Sequence, residues 1–280
     1  GILPEYDLLV IDEAHSIFKS AVSFLGESFS TYAVQYLLKR LFNHEKHTGI
    51  LVKLNEIART QEDVHFLEKN IKNVLSFIPY LNIILKEFMD LLQTDDENQI
   101  DLSLFETRRV IYEKVKGIEE FIDSFIKECE PFYTKHKKTL EKNILERTPA
   151  DDELNHYVTE LGGILKRFSG MKAFLKAFFA NTADDDCETV YWGEKRRRIS
   201  FTFNMTPLNI QKILAENLYD KVKSIIFSSA TLATDESESG FNFFKRESGL
   251  SLTKRDITLL KLPSCFDYKS CLKIYTARPS

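Results

Sequence analysis

The chain opens on a short, unbroken apolar run, Leu8-Leu9-Val10-Ile11, closed by Asp12-Glu13-Ala14-His15. A run of this length without alternation predicts a strand buried on both faces. Beyond His15 the apolar positions step by three and four. Tyr32, Leu37, Leu38, Leu41 and Phe42 share one helical face, and Ile50, Leu54, Ile57 and Ala58 share another. A longer ladder climbs from Val64 through Leu67, Ile71, Leu75, Ile78, Leu81, Leu85 and Phe88 to Leu92, with a kink or break expected just before Pro79. A second ladder uses Ile111, Val115, Ile118, Ile122, Phe125 and Ile126 and is expected to stop near Pro131. A third uses Leu154, Tyr157, Val158, Leu161, Leu165, Phe168, Leu175 and Phe179. Stripes of this length must pack on one another as antiparallel helices, in a bundle or an arch. Gly162-Gly163 and Gly170 mark helix irregularities or close approach within the third ladder.

The pattern changes after Asp184-Asp185-Asp186. Thr189 to Trp192 and Ile199 to Phe203 read as strands joined through Gly193-Glu194 and a basic run. Thr206-Pro207 has the form of a helix start, with Thr as N-cap and Pro in the first helical position. That helix leads to a second apolar run, Ile225-Ile226-Phe227, which enters Ser228-Ser229-Ala230-Thr231-Leu232. A short helix at 241–247 ends at Gly249, and strand-like stretches follow at Ile257 to Leu262 and Leu272 to Tyr275. The order predicts an α/β core with parallel strands carrying a large inserted all-α domain. The two apolar runs are separated by far more chain than the few residues a loop in an α/β unit takes.

With 280 residues and 43% hydrophobic content, the chain can bury a sizeable core. Its formal charge of −4 and pI near 6.0 leave no global basic footprint, so any nucleic-acid surface must be local. Cys129, Cys187, Cys265 and Cys271 form no C-x-x-C pair, which predicts scattered reduced thiols in a cytoplasmic protein. No apolar run reaches bilayer-spanning length, so no membrane partner is expected. A core-type strand that starts almost at once after Gly1 reads as an excised fragment.

The chemistry concentrates where the two apolar runs end. Asp12, at a strand end, can accept water molecules from a bound Mg²⁺, and Glu13 can take a proton from an attacking water. The bland alternative is a helix-capping Asp followed by a solvated Glu. Ser229 and Thr231 offer hydroxyls that could reach His15 or a phosphate. Lys195-Arg196-Arg197-Arg198, flanked by Tyr191, Trp192, Phe201 and Phe203, suits single-stranded DNA through phosphate contacts and stacking. It reads also as a solvated hairpin turn whose aromatics face the core. His44 and His47 read as a polar helix end rather than a metal pair. No G-x-S-x-G or H-E-x-x-H string suggests other hydrolase chemistry.

Taken together, "LLVIDEAH" at 8–15, "TPLNI" at 206–210, "SIIFSSATL" at 224–232, "FNFFKRESGL" at 241–250 and "LPSCFDY" at 262–268 resemble the XPD/DinG branch of superfamily 2 DNA helicases, the bacterial DinG-like members in particular. The resemblance implies a partial RecA-like motor domain interrupted by a helical Arch domain. Residues 1–17 would be the first motor part, 18–186 the Arch, 187–270 the second motor part and 271–280 the start of a second motor domain. It further implies ATP and Mg²⁺ as ligands, single-stranded DNA and the remaining motor segments as partners, and 5′-to-3′ translocation. Asp12 and Glu13 would be the Mg²⁺ and water-activating carboxylates. His15 would couple them to Ser229-Ala230-Thr231. No G-x-x-x-x-G-K-[ST] occurs, nor does the family's glycine- and arginine-rich segment, so these residues alone are expected to be inactive. No cysteine matches the family's iron–sulfur ligands, so no cluster is expected here. A DEAH-type RNA helicase, a CRISPR-associated helicase piece and a non-catalytic helical interaction module stand as alternatives.

Overall fold

A computed structural model of the chain describes residues 6–91, 99–102, 104–142, 148–180, 189–196, 200–235 and 237–262. In chain order the elements are β1 (Leu8–Asp12), α1 (Ile17–Leu25), β2 (Glu27–Ser30), α2 (Thr31–Leu41), α3 (Ile50–Glu56), α4 (Gln61–Leu91), β3 (Gln99–Asp101), α5 (Phe105–Lys142), α6 (Pro149–Phe178), β4 (Thr189–Arg196), β5 (Ser200–Pro207), α7 (Ile210–Leu214), β6 (Ser224–Ser228) and α8 (Asn242–Ser248). The architecture is mixed α/β, with one small parallel sheet and one antiparallel sheet. Two compact units result: Gly1–Leu25 with Asn209–Ser280, and Gly26–Leu208. Among the described residues no helix is long and apolar enough to cross a membrane.

In the first unit β1 and β6 pair in parallel, from Leu8 opposite Ser224 to Asp12 opposite Ser228. The core beneath them gathers Ala14, Ala215, Tyr219, Phe244 and Leu250, with Ile11, Ile225 and Phe227 packed on it. Burial pushes the Tyr219 phenol well above its ordinary value, and its hydroxyl donates to the Ser248 carbonyl at 2.7 Å. Strands buried on both faces were expected; among the described residues only one face is covered. Leu8 (55%), Val10 (58%) and Ile226 (51%) are exposed, because the described helices of this unit pack on the Ile11, Ile225 and Phe227 side alone. The helix expected to start at Thr206-Pro207 starts instead after Asn209. Thr206 and Pro207 are held in the β5 ladder, opposite Val190 and Thr189. A turn of π-helix, Ala215–Tyr219, extends α7. Among the described residues the stretch 257–262 joins no ladder, and Leu272 to Tyr275 and the expected second-motor segment lie outside the described residues.

The second unit is helical around a four-stranded antiparallel sheet ordered β2-β5-β4-β3. The expectation of an all-α insert is therefore corrected. The unit runs from 26 to 208, rather than from 18 to 186, because β5 pairs with both β2 and β4 and so draws the hairpin in with the helices. Helices and sheet share one core: Phe29, Phe201 and Phe203 from the strands meet Phe174 and Phe178 of α6. Neither proline ends its helix. α4 runs through Pro79 and α5 through Pro131, since both prolines sit on exposed faces while the buried stripe continues on either side, as in Val74, Phe77 and Leu81. The carbonyl left without an amide partner can reach water there. The α6 start is a capping box: the Asp151 amide donates to the Thr148 hydroxyl at 3.3 Å and the Thr148 amide to Asp151 Oδ2 at 3.0 Å.

Candidate functional site

β1 delivers Asp12 to the C-terminal edge of the parallel sheet, the edge at which open α/β sheets bind ligands. The chain turns at once. Glu13 takes a left-handed backbone conformation (φ 48°, ψ 42°), a 3₁₀ turn follows over Ala14–Ser16, and α1 begins. Left-handed backbone at a non-glycine residue costs about 1–2 kcal/mol and gathers at functional sites. Three contacts stabilise the turn. The Glu13 amide donates to Asp12 Oδ1 at 2.9 Å, and the Ser16 hydroxyl and amide donate to the Glu13 carbonyl at 2.9 and 3.0 Å. Ala14 is fully buried against the Ala215–Tyr219 core; its neighbours Glu13 and His15 face solvent.

β6 brings Ser229 to the same rim. Its hydroxyl lies 2.9 Å from His15 Nδ1 and donates to Glu13 Oε2 at 3.2 Å, while Nδ1 and Oε2 are themselves 3.2 Å apart. The three groups form a closed triangle. An unprotonated Nδ1 would set a lone pair against the carboxylate, so the geometry favours Nδ1–H, donating to Ser229 Oγ or Glu13. Thr231 contributes less: its hydroxyl is 3.5 Å from Ser229 Oγ and its amide 3.4 Å, both beyond a firm hydrogen bond. Ala230 is exposed and makes the turn between them.

This arrangement is no serine-hydrolase relay. Such a relay needs carboxylate and nucleophile on opposite ring nitrogens; here both meet Nδ1, and Nε2 has no partner among the described residues. It can instead tether a carboxylate to a neighbouring strand through one hydroxyl and one imidazole. Among the described residues no group of three or more His, Cys, Asp or Glu could hold a metal by itself. Asp12 stands as one exposed carboxylate with one oxygen engaged, which fits a cation held mainly by water and phosphate oxygens.

Arg255 is a residue that sequence reading passed over. Its guanidinium donates to the carbonyls of Tyr219 (2.8 Å), Val222 and Lys223, fixing the approach to β6. No motif flags it, because its partners are backbone atoms distant in sequence.

In the second unit, Phe201 and Phe203 are fully buried, their rings 4.8 Å apart, so they offer no surface to a base. Tyr191 is covered by the Arg108 guanidinium at 4.1 Å. Trp192 is half-buried, with Nε1 donating to Glu194 at 3.4 Å, and Lys195 is half-buried opposite Phe201. Arg196 ends β4; its side chain, Arg197 and Arg198 lie outside the described residues. Gly193-Glu194, expected in the turn, sits inside β4, where the absent Cβ leaves room for the Phe201 ring.

No protein-family model and no curated protein matches the chain.

Proposed function

We propose that these residues form the central part of an ATP-driven DNA helicase of the XPD/DinG type, in which the first unit carries half of a RecA-like nucleotide site and the second is the Arch-like insertion. One observation carries the reading: Glu13, His15 and Ser229 close a triangle at the C-terminal rim of two paired parallel strands, although Ser229 follows His15 by 214 positions. In a motor of this kind Asp12 would hold a Mg²⁺, which would neutralise phosphate charge. Glu13 accepts a proton from the attacking water through the carboxylate oxygen not tied to Ser229. His15 and Ser229 transmit the position of Glu13 to β6 and the segment behind it. The phosphate-binding loop and the second motor domain come from polypeptide outside residues 1–280, and single-stranded DNA is the track.

The test uses the full polypeptide encoded by the gene. ATP turnover stimulated by single-stranded DNA is expected, and Glu13→Gln should lower kcat by roughly 10²–10⁴-fold while nucleotide binding persists. The 280-residue chain alone should show no turnover. Turnover by that chain, indifferent to Glu13→Gln, would sink the reading; a full polypeptide that binds a protein partner but neither ATP nor DNA would replace it with an interaction module.

A further inference from the structure

α4 carries an exposed stripe along the flank it shares with α5. Lys69, Lys72, Ser76, Tyr80, Ile83 and Glu87 follow one another at steps of three and four residues, so they fall on one side of the helix. Most of the stripe is polar, but Tyr80 and Ile83 stand 50% and 56% exposed. Beside them a groove of about 460 Å³ opens between the two helices. α4 lines it with Ser76, Phe77 and Tyr80, and α5 with Phe121 and Ser124. The Phe77 and Phe121 rings stack at 3.8 Å to make its apolar floor. Tyr80 lies over Gly117, where a Cβ would stand 2.6 Å from the phenolic oxygen, so the glycine lets the ring lie down against α5.

The polar groups of the groove are already engaged. Asn73 Nδ2 donates to Glu128 Oε2 at 3.3 Å, Lys69 pairs with the other oxygen of Glu128, and the Ser76 hydroxyl donates to the Asn73 carbonyl at 2.9 Å. A small-molecule site converges polar groups on its ligand, and these are turned on one another. What the face offers is apolar contact inside a charged rim, the anatomy of a protein interface.

The rim selects the partner. Lys72 marks one end, exposed and without a carboxylate partner among the described residues. Glu87 marks the other, about 22 Å away along the helix, 56% exposed and touched by Lys114 at 3.4 Å. The apolar pair and the small Ser76 lie between them. A stripe basic at one end and acidic at the other is complementary to its own reverse. A twofold axis passing beside Tyr80, midway between Lys72 and Glu87, runs the α4 helices of two copies antiparallel. It sets Lys72 of each copy against Glu87 of the other, and Ile83 of each against Ser76 at the mouth of the groove.

We infer that this face joins two copies of the chain in an antiparallel α4–α4 contact around a twofold axis, each copy seating Ile83 in the groove of the other. Such a contact pairs one patch with itself, as twofold dimers do. Its apolar centre is small and its charges lie at the rim, which places it in the weak, reversible class. It lies wholly within the second unit and holds whether or not the protein hydrolyses ATP.

Sedimentation equilibrium on the full polypeptide tests it, between about 1 and 200 µM, where a weak interface dissociates. A monomer–dimer equilibrium is expected, and added salt should shift it toward monomer. Ile83→Glu should leave a monomer throughout. Lys72→Glu and Glu87→Lys should each weaken dimerisation by roughly tenfold, and the two together should restore it to within about threefold of the starting value. All three sites are exposed, so the circular dichroism of each variant should match that of the parent. A monomer over the whole range overturns the inference; if Tyr80 and Ile83 then resist hydroxyl-radical labelling, the face belongs to a segment of the same polypeptide. A dimer indifferent to Ile83→Glu, or charge reversals whose losses add, overturns it as well, since the contact then lies elsewhere.

Discussion

The Ser229 hydroxyl lies 2.9 Å from Nδ1 of His15, and the same oxygen donates to Glu13 Oε2 at 3.2 Å. One hydroxyl thus meets both side chains that flank the buried Ala14. If this contact transmits, removing either partner should have the consequence of removing both. In the full polypeptide, His15→Ala and Ser229→Ala should each lower DNA unwinding by roughly fivefold or more, the equivalent of about 1 kcal/mol for one hydrogen bond. The double variant should match the single ones. A double-mutant cycle on unwinding rates reads this directly; additive losses would show that the two residues act separately.

Glu13 combines a left-handed backbone with a carboxylate that Ser229 tethers. Backbone and side chain can be separated by substitution. Glu13→Gly should relieve the strain and raise stability by up to about 1 kcal/mol, after the entropic penalty of glycine is set against the relief. Glu13→Gln keeps the strain and should leave the unfolding midpoint nearly unchanged. In the proposed motor both should lower ATP turnover of the full polypeptide by the same roughly 10²–10⁴-fold. Thermal unfolding of the three proteins decides it, and equal midpoints for Gly and Gln would mean that the turn carries no strain.

Acid should weaken the second unit through two carboxylates. Lys127 and Lys172 hold the Asp123 carboxyl at about 2, and the Thr148 hydroxyl and amide, with Arg59, hold Asp151 at about 2, against 3.8 for an unperturbed Asp. Because the folded values lie below the unfolded ones, their contribution is complete above about pH 3.8 and disappears as pH falls toward 2. Asp63 acts in the same sense: burial opposes its ionisation, but Thr60, His136 and Lys135 beside its carboxylate outweigh burial and hold it below its ordinary value. Asp123→Asn with Asp151→Asn should flatten the fall of the unfolding midpoint over that window. An unchanged slope would place the acid sensitivity elsewhere.

Local periodicity carried most of the elements. The apolar ladders located α2 to α6, and the two short apolar runs located β1 and β6, because each stripe is a face that must find a partner. What failed was information held by partners distant in sequence. Thr206-Pro207 has a helix-start sequence, yet pairing with Val190 and Thr189 keeps it in a strand. The exposed Leu8, Val10 and Ile226 look like core residues in sequence, since the pattern reports what a strand is fit to bury and not what covers it. At the candidate site, Asp12, Glu13, His15 and Ser229 were legible from motif and strand end. The role of Ala14 in the core and the clamp made by Arg255 were not, because both depend on three-dimensional neighbours.

Pro79 and Pro131 interrupt the hydrogen-bond ladders of α4 and α5 without ending either helix. Each lies on an exposed face, so replacement disturbs no packing. Pro79→Ala should restore an amide donor to the Leu75 carbonyl and remove a ring clash. Those are gains of up to about 3 kcal/mol, reduced by about 1 kcal/mol for the freer unfolded chain. A net rise of about 1–2 kcal/mol in denaturant unfolding is expected. A fall would mean that the proline fixes a bend on which the α4 packing depends.

Glycines offer the sharpest contrast. A Cβ at Gly193 would lie 2.0 Å from Phe201 Cζ, and that ring is fully buried, 4.8 Å from Phe203, with no room to retreat. A Cβ at Gly163, on the exposed face of α6, would meet nothing within 4 Å. Gly193→Ala should therefore destabilise the second unit by about 1–3 kcal/mol, the usual result of overpacking. Gly163→Ala should stabilise it by about 0.5–1 kcal/mol, because alanine loses less backbone freedom in a helix. Opposite signs in paired unfolding curves are the expected outcome. A tolerated Gly193→Ala would mean that the Phe201 ring can leave its place over β4, and with it the packing that binds hairpin and helices into one unit.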